Sequence, residues 1–237
     1  MMTFKAIHSR AATRKGGAKA LARFLPDVPP ATDIAALGDD RVLAQMTKRI
    51  FCSGFVWRVI EQKWPAFEEA FHGFEVGRLC FEPDDYWEAL TQDARIVRHA
   101  QKIMSVRHNA RFVANVAGEH GSFGAFLAAW PADDQIGLLG VLGKRGKRLG
   151  GMTGQYFLRF IGWDGFVLSR DVVACLRDAG LEISETPSSK KELKAIQDTM
   201  TTWSKESGLP VTHVSRICAL SIGDNIDPER IKSGGED

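Results

Sequence analysis

Lys144, Arg145, Lys147 and Arg148 crowd around Gly146, and Gly150-Gly151 follows just before Met152 and Thr153. An apolar run with Tyr156, Phe157, Phe160 and Ile161 comes next. Glycine permits positive φ and the close approach of another backbone. The pattern therefore predicts a helix ending near Gly143 or Lys144, a tight turn, and a new helix from about Met152 or Thr153. The first amides of that helix have no intrahelical partners, and the positive end of the helix dipole stands behind them. This is a main-chain anion site, to which Lys144, Lys147 and Arg148 add charge. The apolar half anchors it to a core. A glycine turn with a solvated basic rim would have the same local signature. A second basic group, Arg95, Arg98, Lys102, Arg107 and Arg111, reads equally well as solvated helix faces.

The elements that must position this turn are helical. Val42, Leu43, Met46, Ile50, Val56 and Ile60 keep helical spacing through one long stretch opened by Asp39-Asp40. Pro83-Asp84-Asp85 marks another helix start. A long amphipathic run covers 96–118, a short apolar helix stops at Pro131, and Gly180 closes a helix that Asp171 opens. Two further helices begin at Ser188 or Ser189 and at Pro210. No alternating strand pattern, repeat or low-complexity tract is found, so the expected fold class is all-α. The expected organisation is a basic helical extension over 1–28, a helical domain over 29–223 and a polar tail over 224–237. Within the domain, a core spans 39–180 and helices over 188–223 pack on it.

Composition sets the outer limits. The chain has 237 residues, 44% hydrophobic and 25% charged, enough for a sizeable core and too apolar for bulk disorder. The net charge of +2 does not itself imply nucleic acid; the local clusters do. Cys52, Cys80, Cys175 and Cys218 lack CxxC spacing and read as reduced thiols. The charged N-terminus has no secretory h-region and no run reaches membrane-span length, so a cytoplasmic protein is expected.

Several words in fixed order carry a family likeness: Gly54-x-x-Trp57, Phe71-His72-x-Phe74, Ile96-x-Arg98-His99-x-x-Lys102-Ile103 and Asn109-Ala110-Arg111, then the basic turn with Leu149-Gly150, and Asp171 at a helix start. Together they resemble the helix-hairpin-helix DNA glycosylases, and in particular 3-methyladenine DNA glycosylase I. The likeness covers roughly 39–180. It implies two helical lobes around a cleft, and a partner in damaged double-stranded DNA, whose flipped base is cut from its sugar. It implies phosphate binding by the hairpin residues Lys144, Lys147, Arg148, Leu149, Gly150, Gly151, Met152 and Thr153, with a monovalent cation as a possible companion. It implies base stacking on Trp57, with Phe51 and Phe55 completing the wall. On spacing alone, Trp57 would be a core aromatic.

The departures are as informative. Arg49 occupies the position of the family's pocket glutamate and is counted with Trp57, Phe51 and Phe55 among the expected base-binding residues. Asp171 matches the carboxylate of the wider superfamily and would stabilise an oxocarbenium-like transition state; capping its helix is the alternative. Met152 stands where bifunctional members carry a Schiff-base lysine, so strand cleavage is not expected. Cys175 matches one zinc ligand, but Asp171 replaces a histidine, so no metal site is expected. The reading is a monomeric, monofunctional glycosylase for alkylated purines, 3-methyladenine first. The alternative is a non-catalytic protein of the same fold that recognises distorted DNA.

Overall fold

The computed structural model describes residues 1–222; the expected tail over 224–237 lies outside them. Among the described residues all regular structure is helical and no strand forms. The chain runs through α1 (Phe4–Arg14), α2 (Ala18–Ala22), α3 (Ala31–Ala35), α4 (Asp39–Cys52) and α5 (Trp57–Ala70). A 3-10 turn (His72–Phe74), α6 (Val76–Phe81), α7 (Asp84–Gln92) and α8 (Ala100–His120) follow. Then come α9 (Phe123–Ala129), α10 (Gln135–Arg145), α11 (Gly151–Phe160), α12 (Arg170–Asp178), α13 (Lys190–Ser207) and α14 (Val211–Ile222). Two compact units result.

One unit comprises Pro29–Trp130 and Leu138–Trp163. Its core joins the apolar faces of α4 and α8, with Val42, Leu43, Met46 and Ile50 in one cluster with Ile103, Val106 and Ala110. Trp64, Phe67, Phe71 and Phe74 stack in sequence at 5.4–6.1 Å and fix α5 and the 3-10 turn. Each such pair contributes about 0.5–1.5 kcal/mol beyond its buried area. The stretch expected as one helix from Asp39 onward is broken. Gly54 takes φ +80°, and α4 ends at Cys52 before α5 begins at Trp57. The apolar spacing stays in phase across this break, which is why it reads as continuous. As a result, Trp57 sits at the start of a helix, beside an exposed loop, instead of in mid-helix.

The other unit comprises Met1–Val28, Pro131–Gly137 and the described chain from Asp164 to Ile222. Phe4, Ile7, Ala11, Leu21 and Phe24 share a buried cluster with Ile196, Met200, Trp203, Val214, Ile217 and Leu220. Residues 1–28, expected as a separate extension, are thus part of a core with the C-terminal helices. Apolar residues on one face of α1 account for this, since they need a partner surface that 1–28 alone does not supply. The Asp164 carboxylate accepts from the Val211 and Thr212 amides at 3.1 and 2.7 Å, closing the N-terminus of α14. Ser189 and Glu192 form a reciprocal capping box on α13. Its hydrogen bonds, first that from the Ser184 amide, hold the Glu192 carboxyl down at about 2.

Candidate DNA-binding hairpin and aromatic slot

The hairpin is a built structure. α10 ends at Arg145, Gly146 donates to the Leu142 carbonyl at 2.9 Å, and α11 opens at Gly151 with φ +56°. Arg148, a non-glycine residue, also takes positive φ, at +63°. Two close approaches need glycine. A Cβ at Gly146 would stand 2.7 Å from the Leu142 carbonyl oxygen, and one at Gly154 would stand 2.4 Å from that of Leu149. Leu149 is fully buried and pins the turn to the core. No side chain caps α11 at Gly150, so its first-turn amides are left for another acceptor.

A residue that the sequence marks only through the Asn109-Ala110-Arg111 word holds the turn in place. Asn109, fully buried on α8, accepts from the Lys147 amide at 2.7 Å and donates to the Lys147 carbonyl at 3.1 Å. His108 reaches the Arg145 carbonyl at 3.0 Å. Both bonds constrain main chain and leave the cationic side chains outside. Lys144 and Lys147 are exposed and make no ion pair among the described residues. Arg145 is committed to Glu119 by two bonds of 2.8 and 2.6 Å. Arg148 donates to the Gln101 side chain. Of the cations in the turn, Lys144 and Lys147 are therefore the ones most available to an anion. A cavity of about 300 Å³ is lined by Arg148, Gly150 and Thr153 of the hairpin and by Ile50 and Ser53 at the α4 end. Met152 is 38% exposed at the rim of the same helix start.

Behind the hairpin, α11 presents Tyr156 and Phe160 edge-on to Trp57, at 5.4 and 5.6 Å between ring centres. Trp57 is half-buried. The Arg49 guanidinium lies against two of these rings. It stands 4.0 Å from the Phe160 ring centre and 4.9 Å from that of Trp57. Burial pulls its pKa down, and Cys52 and Glu61 oppose that shift. The other expected wall residues part ways. Phe51 is fully buried against Phe67 at 4.8 Å. Phe55 is 37% exposed and packs on His99, with Val56 beside it at 70% exposure. Lys102 is buried beneath this loop, donating to the Phe51 carbonyl at 3.3 Å and to that of Ser53. Burial first, and then the Arg148 charge, lower its pKa to about 8.

Asp171 belongs to the other unit. It lies half-buried in the first turn of α12, where Ser169 performs the capping by accepting from the Val172 amide at 3.4 Å. Cys175 is buried beside Ser221 at 3.4 Å and the Arg10 guanidinium at 3.9 Å. Among the described residues no group of three or more His, Cys, Asp or Glu side chains converges as metal ligands would. Likewise, no helix is long and apolar enough to cross a membrane.

Residues 35–137 match the methyladenine glycosylase family model. That segment contains Arg49, Trp57 and Asn109, while the hairpin and Asp171 lie beyond it. The solved 3-methyladenine DNA glycosylase I from Staphylococcus aureus is 20% identical, with 65% of this chain and 90% of that chain covered and a TM-score of 0.50. A tyrosine-to-phenylalanine variant of 3-methyladenine DNA glycosylase I, solved with 3-methyladenine, is 19% identical, with 76% and 98% covered and a TM-score of 0.50. No curated protein matches the chain by sequence. The family match supports the resemblance to 3-methyladenine DNA glycosylase I, and the structural likeness adds that the all-helical fold is shared.

Proposed function

We propose that this chain is a monofunctional DNA glycosylase of base excision repair, which grips duplex DNA with the α10–α11 hairpin and hydrolyses the N-glycosidic bond of a damaged purine. The observation that carries this reading is the Asn109 clamp. Two hydrogen bonds to the Lys147 backbone hold the turn rigid and leave the uncapped start of α11 open. A clamp on main chain, with the adjacent lysine side chains free, suits a phosphate better than it suits a mere helix connection. Flipping a base costs a few kcal/mol of unstacking, and a pre-ordered phosphate grip helps offset that cost. The exposed Phe55 and Val56 offer apolar surface to an opened duplex.

Hydrolysis without strand cleavage fits the lack of an amine at the position where bifunctional members carry a Schiff-base lysine. Met152 offers none, and the Lys102 amine, though its pKa is low, is buried and donates to two carbonyls. In this reading Asp171 orients water and steadies the developing sugar cation. Of the alkylated purines that the resemblance implies, 3-methyladenine would bring positive charge to a slot that already holds Arg49. That same cation favours a second reading, binding of damaged DNA without excision.

The two readings separate in one experiment. Duplexes carrying alkylated or deaminated purines are incubated with excess protein, and free base is measured beside an Asp171→Asn variant. Base release that the variant lacks supports the glycosylase and the role of Asp171. Lesion-dependent binding with no release from any substrate leaves only the binding protein.

A further inference from the structure

Arg49 is an unusual group to find in an aromatic slot. The residue is only 4% exposed, yet its Nε and Nη1 are buried without any hydrogen-bond partner. Its Nη2 comes no nearer than 3.9 Å to Glu61, beyond hydrogen-bond reach, and Glu61 is itself bonded to Lys48 at 2.7 Å. Contact with the Phe160 and Trp57 rings compensates part of the charge but accepts no directed hydrogen bond. Arginine does not deprotonate in proteins, so the cation stays. Buried donors in native proteins are nearly always satisfied. Here the missing partner is an acceptor, and it must reach a guanidinium beside a half-exposed tryptophan face.

We infer that Arg49 reads the flipped base, and that the slot takes a neutral oxo-purine such as hypoxanthine in preference to a cationic alkylated purine. An oxo-purine presents O6 and N7 as acceptors on one edge, the edge with which arginine pairs most often in DNA recognition. An adenine-type base presents an N6 amino donor there, which faces donors. A positively charged base adds like-charge repulsion in a site of low dielectric. Electrostatics of the reaction point the same way, a step that rests on the glycosylase reading. When the C1′–N9 bond of a neutral base breaks, the electron pair leaves with the base and water adds to C1′. The departing base is then an anion until it takes up a proton, and a buried cation beside it stabilises that charge. A cationic base departs neutral and needs no such partner.

The test uses the full chain with duplexes that differ at one position: adenine, hypoxanthine, 7-deazahypoxanthine, or an N3-methylated adenine. Competition binding by fluorescence anisotropy is read alongside release of free base. The expected result is binding of the hypoxanthine duplex at least tenfold tighter than either the adenine or the methylated duplex, with much of that gain lost for the 7-deaza base. In Arg49→Met the preference for hypoxanthine over adenine should fall at least tenfold. Equal binding of all four duplexes by the wild-type protein, or a preference for the methylated one, overturns the inference. So does an undiminished preference in a folded Arg49→Met protein; if that variant does not fold, the 7-deaza comparison decides. Lesion preference without base release would remove the glycosylase reading and leave the base reading standing. Absence of DNA binding would remove both.

Discussion

Replacing Asn109 by alanine should loosen the hairpin without removing a single cation from it. The side chain contributes two hydrogen bonds to the Lys147 backbone, at 2.7 and 3.1 Å, from a fully buried position. Each is worth about 1 kcal/mol net, and a partner left buried and unsatisfied adds about 1–3 kcal/mol. A loss of about 3–5 kcal/mol in unfolding free energy follows. The more telling effect is on DNA. A turn that is ordered only on binding must lose backbone freedom at that moment, about 1–2 kcal/mol for one residue. That corresponds to roughly tenfold weaker affinity. The phosphate contacts themselves survive, so the slope of log K against log salt should stay unchanged. Lys147→Ala is the complementary variant. The clamp uses its main chain, so the turn remains ordered while one cation disappears, and the salt slope should flatten by about 0.9. Anisotropy titrations at several salt concentrations read both quantities. If Asn109→Ala binds as tightly as the parent, or if it flattens the slope and Lys147→Ala does not, the reasoning is refuted.

Lys144→Ala should likewise flatten the salt slope by about 0.9, whereas Arg145→Ala should barely change it, because Arg145 is bound to Glu119. Gly154→Ala would force a methyl group to within 2.4 Å of the Leu149 carbonyl oxygen, and thermal or urea unfolding should register a loss of about 1–3 kcal/mol. Lys102 gives a pH signature. Its folded pKa of about 8 lies below the ordinary lysine value, so the unfolded chain binds more protons as pH rises from about 8 to 10. Stability should therefore increase over that interval, by about 2 kcal/mol, in urea titrations, and the increase should vanish in Lys102→Met. A neutral amine still donates to both carbonyls, so the α4–α5 loop should survive the titration.

Local signals in the sequence were read correctly where a short-range rule governs them. The Asp39, Pro83-Asp84-Asp85 and Ser189 starts coincide with helix N-termini; of the turn glycines, Gly146 meets a close approach and Gly151 takes positive φ, whereas Gly150 is extended with open space around it. The break at Gly54 escaped because the residues on either side keep one helical phase. Only the backbone angle at Gly54 reveals that Trp57 opens a helix. The role of Asn109 escaped for a different reason. Its partner is 38 residues away, and no periodicity announces a side chain that binds another segment's main chain. The identity of Arg49 was legible as a departure from the family pattern. Its burial against Phe160 and its unsatisfied donors come from the packing of α11 on α4, which depends on the whole unit.

Base release is the most direct test of glycosylase activity in this protein. Excess protein is incubated with a duplex containing one hypoxanthine or one alkylated purine under single-turnover conditions, and the small-molecule fraction is separated by chromatography. Free base is expected in proportion to duplex bound, larger from hypoxanthine, with the strand intact until alkali opens the abasic site. Saturating binding with no free base from either duplex contradicts the glycosylase reading.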